Sequence, residues 1–120
     1  MPRYNETVGA LLQGHARIDR RNLEMHQAIA CKLRSHPELL EIARENLARW
    51  SARDSRSQPY WDAWREIFTR PVTEVLELIV ENSERMTAMR QASPFAGVLD
   101  ESERRAILER FSPRAMHNVR

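Results

Sequence analysis

Apolar residues recur along this chain with the spacing of short amphipathic helices. The clearest case lies in residues 72–80, where apolar side chains occupy positions i, i+3, i+4, i+7 and i+8 and would share one face of a helix. Similar stripes occur before and after this segment. Together they predict helices at about residues 20–35, 37–50, 59–70, 71–82, 83–92 and 100–112.

Proline and capping residues set the predicted ends of these helices. Proline disfavours helical geometry in the residue before it, so Pro37 should separate the first two helices. Asp19 or Asn22 is expected to cap the first helix. Asp100, with Glu103 three residues later, has the spacing of a capping box at the start of the last helix.

The stripes predict an all-α fold, a single compact domain of five or six short helices over residues 20–111. Within this domain, residues 20–50 are expected to form a helical hairpin. The polar residues 51–58 are expected to form a linker, and residues 59–111 a helical cluster.

Both ends of the chain lie outside the predicted domain. Gly9 and Gly14 weaken the helical pattern in residues 1–19, which are therefore expected to form a flexible N-terminal arm. Residues 112–120 follow the last apolar stripe and are expected to form a C-terminal tail.

Composition narrows the class of protein. The chain has 120 residues, the size of one domain, and its 42% hydrophobic and 30% charged residues exclude a disordered tail. Its three glycines are too few for a typical β-sandwich, β-barrel or glycine-rich phosphate loop. The net charge of +2 is too small to indicate nucleic-acid binding by itself.

Two further features predict a cytoplasmic protein that does not enter a membrane. The longest uninterrupted apolar run is the four residues 28–31, whereas a membrane-spanning helix needs about 20 apolar residues. Cys31 is the only cysteine, so no internal disulfide can form, which fits a reducing compartment. Cys31 itself is expected to be a small buried apolar residue.

No pattern of reactive residues predicts a catalytic, cofactor-binding or metal-binding site. The four histidines are never three or four residues apart, so no two of them form a metal-binding pair on one helix. Each histidine is expected to lie on the surface or near a helix cap. The sequence therefore predicts a non-enzymatic protein without a cofactor.

Three residues are candidates for partner binding, namely Trp61, Arg90 and Phe95. Trp61 lies off the apolar stripe of its helix and is expected to be partly exposed, and Trp and Arg are enriched in interface hot spots. Phe95 lies in the apolar loop at residues 93–99, which should either fold back on the core or meet a partner.

Residues 71–92 also have the outline of a helix-turn-helix, which gives DNA binding as an alternative. The second helix would then present four side chains to the major groove, those of Arg85, Thr87, Arg90 and Gln91. Against this alternative, the first helix carries three glutamates that would repel phosphate, Glu74, Glu77 and Glu81.

Two segments carry a resemblance to known proteins. They are NLEMH at residues 22–26, continuing to Trp50, and SPFAGVL at residues 93–99. The chain resembles a group of small uncharacterised helical proteins of bacteria, some of which are similar to antitoxins. The resemblance implies a bacterial cytoplasmic protein that binds and silences a co-encoded toxin, and it implies no role for any single residue.

Residues and resemblance together predict a non-enzymatic protein–protein interaction protein, such as the antitoxin of a bacterial toxin–antitoxin module that occludes its partner. The alternative is a helix-turn-helix transcription regulator that binds DNA. The predicted partner is a protein, such as a co-encoded toxin, while a homodimer and DNA binding stay open.

Overall fold

The computed structural model describes residues 2–53 and 55–112, with side chains from residue 14 onward. In chain order the elements are α1 (Pro2–Ser35), a 3-10 turn (Pro37–Leu39), α2 (Leu40–Ser51), α3 (Gln58–Ile67), α4 (Val72–Leu78), α5 (Glu84–Gln91) and α6 (Glu101–Arg110). No strand occurs among the described residues, and the predicted all-α single domain is confirmed. Of the predicted C-terminal tail, residues 113–120 lie outside the described residues.

Helix α1 is longer than the sequence pattern predicts. It begins at Pro2, so Asp19 and Asn22 lie inside the helix, and the expectation that one of them caps it is wrong. A glycine inside a helix costs only about 1 kcal/mol relative to alanine, and no further proline interrupts the helix. The glycines therefore do not end it. The predicted arm is helical from Pro2, and its flexibility stays a prediction.

Helix α1 packs against α4, α5 and α6, whereas α2 packs against α3. As Pro37 predicts, α1 ends at Ser35, and the 3-10 turn leads directly into α2. Lys32 Nζ donates a hydrogen bond of 2.7 Å to Glu103 Oε1, which connects α1 to the first turn of α6. Among the described residues, no helix has an apolar segment long enough to cross a bilayer.

The core receives apolar side chains from every helix and from the loop between α5 and α6. Its most deeply buried residues include Leu33, Trp64, Val75, Ile79 and Val98. Full burial of one large apolar side chain stabilises a fold by about 1.5–3 kcal/mol. The loop at residues 93–99 folds back on this core, so the first of the two alternatives for it is the correct one.

Helix α1 is as long as the molecule itself. At 1.5 Å per residue, the 34 residues of α1 span about 51 Å, and the longest dimension of the molecule is 49 Å. Ile18 is 39% exposed, and a Cβ placed on Gly14 would meet no atom within 4 Å. Further along, Asp19 Oδ1 accepts a hydrogen bond of 3.4 Å from Gln91 Nε2 of α5. Asp19 is therefore a point of contact between α1 and α5.

Side-chain caps begin α5 and α6. The hydroxyl of Ser83 accepts a hydrogen bond from the backbone N–H of Met86. At α6 the predicted capping box is confirmed, because Asp100 Oδ1 accepts from the Glu103 N–H at 2.8 Å and Glu103 Oε1 accepts from the Asp100 N–H at 2.9 Å. These bonds satisfy backbone donors that the first turn of a helix leaves without partners.

We expect Asp100→Ala to lower the free energy of unfolding by about 1 kcal/mol, because it removes one half of the capping box. Urea denaturation measures this change. Ser102→Ala, at an exposed position of the same helical turn, is the control and should change stability by less than about 0.5 kcal/mol. Equal stability of the two variants would contradict the capping role of Asp100.

Candidate functional site

The loop at residues 93–99 is the centre of the candidate site, because polar side chains of α2 and α3 hold its backbone. Asn46 is only 6% exposed, and its Nδ2 donates to the carbonyl oxygens of Pro94 (2.9 Å) and Ala96 (2.8 Å). Trp64 Nε1 donates to the carbonyl oxygen of Ala92 at 2.9 Å. A buried backbone carbonyl without a partner would cost free energy, so these bonds allow the loop to enter the core.

Phe95 is the apolar anchor of this loop. It is 2% exposed, and its ring lies edge-on to Trp64 and Phe68, with ring centroids 5.6 and 5.7 Å apart. Such aromatic pairs stabilise a core by about 0.5–1.5 kcal/mol beyond the area that they bury. The structure therefore places Phe95 in the core and not on a surface that a partner could reach.

His26 of α1 is the third polar contact to the loop and the residue that sequence reasoning missed. It is 3% exposed, so the expectation that every histidine lies on the surface or at a cap is wrong for this one. Its Nδ1 lies 2.6 Å from the carbonyl oxygen of Asn22, and its Nε2 lies 2.7 Å from Ser93 Oγ. A carbonyl can only accept, so Nδ1 carries the proton, and the Ser93 hydroxyl donates to Nε2.

Burial keeps this imidazole neutral. Removal from water lowers the pKa of His26 from 6.5 to about 4, because desolvation disfavours the charged form. The hydrogen bond to the Asn22 carbonyl opposes the decrease, and the positive charge of Arg90 adds to it. At neutral pH the imidazole is therefore an uncharged acceptor for the Ser93 hydroxyl.

A serine that donates to a histidine is also the arrangement of a nucleophile and its base. Here a backbone carbonyl, and not a carboxylate, holds the Nδ1 proton. A base whose conjugate acid has a pKa of about 4 accepts a serine proton much less readily than one whose pKa lies near 7. The geometry therefore fits a structural contact between α1 and the loop better than it fits general-base catalysis.

Arg90 of α5 is buried, with 4% exposure. Its Nη1 donates to the carbonyl oxygens of Ile79 (3.1 Å) and Glu81 (2.9 Å), just after α4. Burial lowers the pKa of Arg90, while the negative charges of Asp19 and Glu81 act in the opposite direction. The predictions that Arg90 contacts a partner or a DNA base both need an exposed guanidinium, and the structure buries it.

Trp61 of α3 is buried as well, and the expectation of partial exposure is wrong. It is 6% exposed and packs against Trp50 of α2, with ring centroids 6.1 Å apart, whereas Tyr60 is 40% exposed. The buried residues of α3 are Trp61, Trp64 and Ile67, so the stripe begins one residue later than the sequence pattern suggests, while its other positions are as predicted. In a helix one residue corresponds to a rotation of about 100°, so Trp61 and Tyr60 exchange roles.

The remaining DNA-binding candidates lie on α5. Arg85 and Gln91 are exposed and Thr87 is half-buried, and the Thr87 hydroxyl donates to the Ser83 carbonyl oxygen at 2.8 Å. Two successive short helices, α4 and α5, do occupy the predicted helix-turn-helix segment. DNA binding stays a prediction, and without an exposed Arg90 it has fewer side chains for reading bases.

Cys31 lies on the surface as a free thiol, so its expected burial is wrong. Cys31 follows two buried residues of α1, Ile29 and Ala30, and the helix turns its side chain away from the core. Among the described residues, no group of three or more His, Cys, Asp or Glu side chains could hold a metal ion.

A pocket of about 190 Å³ opens between α1 and the 93–99 loop. His26 and Ser93 contribute to its wall together with Asn22, Arg90 and Arg104, and its apolar surface includes Met25, Ile29 and Leu99. The buried histidine and the buried arginine therefore border the same cavity.

Helical spacing contains a signal that could have located His26. His26, Ile29, Ala30 and Leu33 are spaced at i, i+3, i+4 and i+7, and all four are buried. Its partner Ser93 is 67 residues away along the chain, and spacing within one helix carries no information about it.

Comparisons with protein families, with characterised proteins and with solved structures give no match for this chain.

The buried histidine makes stability depend on pH. The unfolded chain binds a proton at His26 near pH 6.5, whereas the folded protein binds it only near pH 4. The neutral histidine therefore makes its full contribution to the free energy of unfolding above pH 6.5. This contribution decreases as the pH falls towards 4, by up to about 3 kcal/mol. Denaturation of the wild type between pH 7 and 4 measures it.

A pair of variants isolates this contribution from that of the carboxylates. His26→Gln should lose the His26 part of the pH dependence, while His36→Gln, at an exposed position, should keep it. If His26→Gln and the wild type lose the same stability between pH 7 and 4, His26 does not have a lowered pKa.

Proposed function

We propose that this chain is a non-enzymatic protein–protein interaction protein of antitoxin type, which binds a partner protein through the N-terminal half of α1. One observation carries the proposal: α1 begins about 25 Å before Asp19, whose side chain contacts Gln91 of α5. Isolated helices of this length are only marginally stable in water, since most helical stability comes from tertiary packing. A partner that packs along this segment would supply that stability.

The exposed hydrophobic side chains also support α1 as the binding region. Among the described side chains, the large hydrophobic residues with the greatest exposure are Ile18 of α1 (39%) and Tyr60 of α3 (40%). Trp61, Arg90 and Phe95 are buried and would have to leave the core to touch a partner. Ile18 therefore replaces them as the candidate anchor on α1, and occlusion of the partner would be by the helix and not by the 93–99 loop.

We place this function in the cytoplasm of a bacterium. The free thiol of Cys31 is exposed, and an exposed unpaired thiol persists best in a reducing compartment. The resemblance of residues 22–50 and 93–99 to small bacterial helical proteins supports the same location. The partner would then be a toxin encoded beside this chain.

Gly14 allows a matched test of the proposed interface. Proline inside a helix costs about 3 kcal/mol or more, so Gly14→Pro should break α1 within its N-terminal half. Gly14→Ala should instead strengthen the helix by about 1 kcal/mol, because the added Cβ has open space around it. We expect Gly14→Pro to weaken partner binding at least about tenfold, and Gly14→Ala to preserve it or strengthen it.

The experiment uses the protein encoded by the neighbouring gene. Expressed alone it should arrest growth, and co-expression of the wild type or of Gly14→Ala should restore growth, while Gly14→Pro should fail. Calorimetry with the purified pair gives the affinities, and thermal unfolding checks that the core of each variant is intact. A neighbour without toxicity, or equal binding by Gly14→Pro, would contradict the proposal. If the wild type forms dimers and Gly14→Pro dissociates them, the partner is a second copy of this chain. That result would also overturn the proposal.

A further inference from the structure

The pocket between α1 and the 93–99 loop combines positive charge with an apolar wall. Its two charged lining residues are Arg90 and Arg104, and no aspartate or glutamate lines it. Its volume of about 190 Å³ is room for roughly six groups of the size of a water molecule, at about 30 Å³ each. A ligand that fits it is therefore small.

Arg90 is a buried cation without a counter-ion. Among the described residues it has no carboxylate within 4.0 Å, although Asp19 and Glu81 act on it from further away. Two of its hydrogen bonds go to backbone carbonyls, which carry no net charge, and its Nε has no partner. A buried charge without an ion pair is costly, and an anion in the neighbouring pocket would offset part of that cost.

Arg104 supplies a second positive charge at the mouth of the pocket. Its side chain is exposed, and its contact with Glu101 is long, at 3.9 Å, so it can turn towards a ligand at little cost. Arginine presents parallel N–H groups that match the two oxygens of a carboxylate. The hydroxyl of Ser93 lines the same pocket and adds a neutral polar group.

We propose that this pocket binds a small monocarboxylate with a short hydrocarbon tail, its carboxylate towards Arg104 and Arg90 and its tail against Met25, Ile29 and Leu99. The apolar wall distinguishes this ligand from inorganic phosphate, which has no group to place there. The site begins at Asn22 and uses no residue of the N-terminal half of α1. It therefore does not depend on the proposed function.

The test is a titration of the full chain with sodium butyrate at pH 7, followed by NMR chemical shifts. The amide resonances of residues 95–99 should shift and saturate, with a Kd of about 1 mM. Butyramide, which has nearly the same shape without the charge, should bind at least about tenfold more weakly, as should inorganic phosphate. The two controls separate the contributions of the charge and the tail.

Two variants on α6 complete the design. Arg104→Gln removes the charge at the mouth of the pocket and should weaken butyrate binding about tenfold. Arg105→Gln removes a charge at the next exposed position, which does not line this pocket, and should leave binding unchanged. Any one of three results would overturn the proposal: no saturable shift in residues 95–99 up to about 50 mM butyrate, equal binding of butyramide, or full binding by Arg104→Gln.

Discussion

The stability of this fold depends on the hydrogen bonds that satisfy the backbone of one buried loop, residues 93–99. Backbone carbonyls that enter a core need hydrogen-bond donors, and the 93–99 loop receives them from Asn46 of α2, while Trp64 of α3 binds the carbonyl just before it. The imidazole of His26 adds α1 to this arrangement through Ser93. A single loop therefore connects the first three helices, whose contacting residues lie between 28 and 67 residues before it in the sequence, and each of the three uses an uncharged side chain.

The same arrangement decides which residues remain for function. Because the loop is fixed, Phe95 fills the space between Trp64 and Phe68 and cannot serve as a surface anchor. Arg90 is fixed by the carbonyls that follow α4. The accessible features include Ile18 of α1 and the small pocket beside the loop, and these two features carry the two proposals.

Local signals predicted local structure well. The capping box at Asp100 and the helix end before Pro37 need only neighbouring residues, and both were correct. The start of α1 was wrong, because glycine weakens a helix without ending it. Trp61 was placed on the wrong side because Trp61 and Tyr60 precede the buried Trp64 by three and four residues, and both spacings fit one face of a helix. The burial of Arg90 was missed for a different reason. Its hydrogen-bond partners are the backbone carbonyls of Ile79 and Glu81, just after α4, and side-chain spacing within α5 cannot predict a contact with them.

The most direct test of the central claim is the stability of Asn46→Leu, which keeps the approximate size of the side chain but removes the donor to the Pro94 and Ala96 carbonyls. A buried polar group left without a partner costs about 1–3 kcal/mol. We therefore expect the free energy of unfolding in urea to fall by about 2 kcal/mol or more, with faster hydrogen exchange at the amides of residues 95–99. A change below about 0.5 kcal/mol, as at an ordinary surface position, would show that the fold does not depend on this contact.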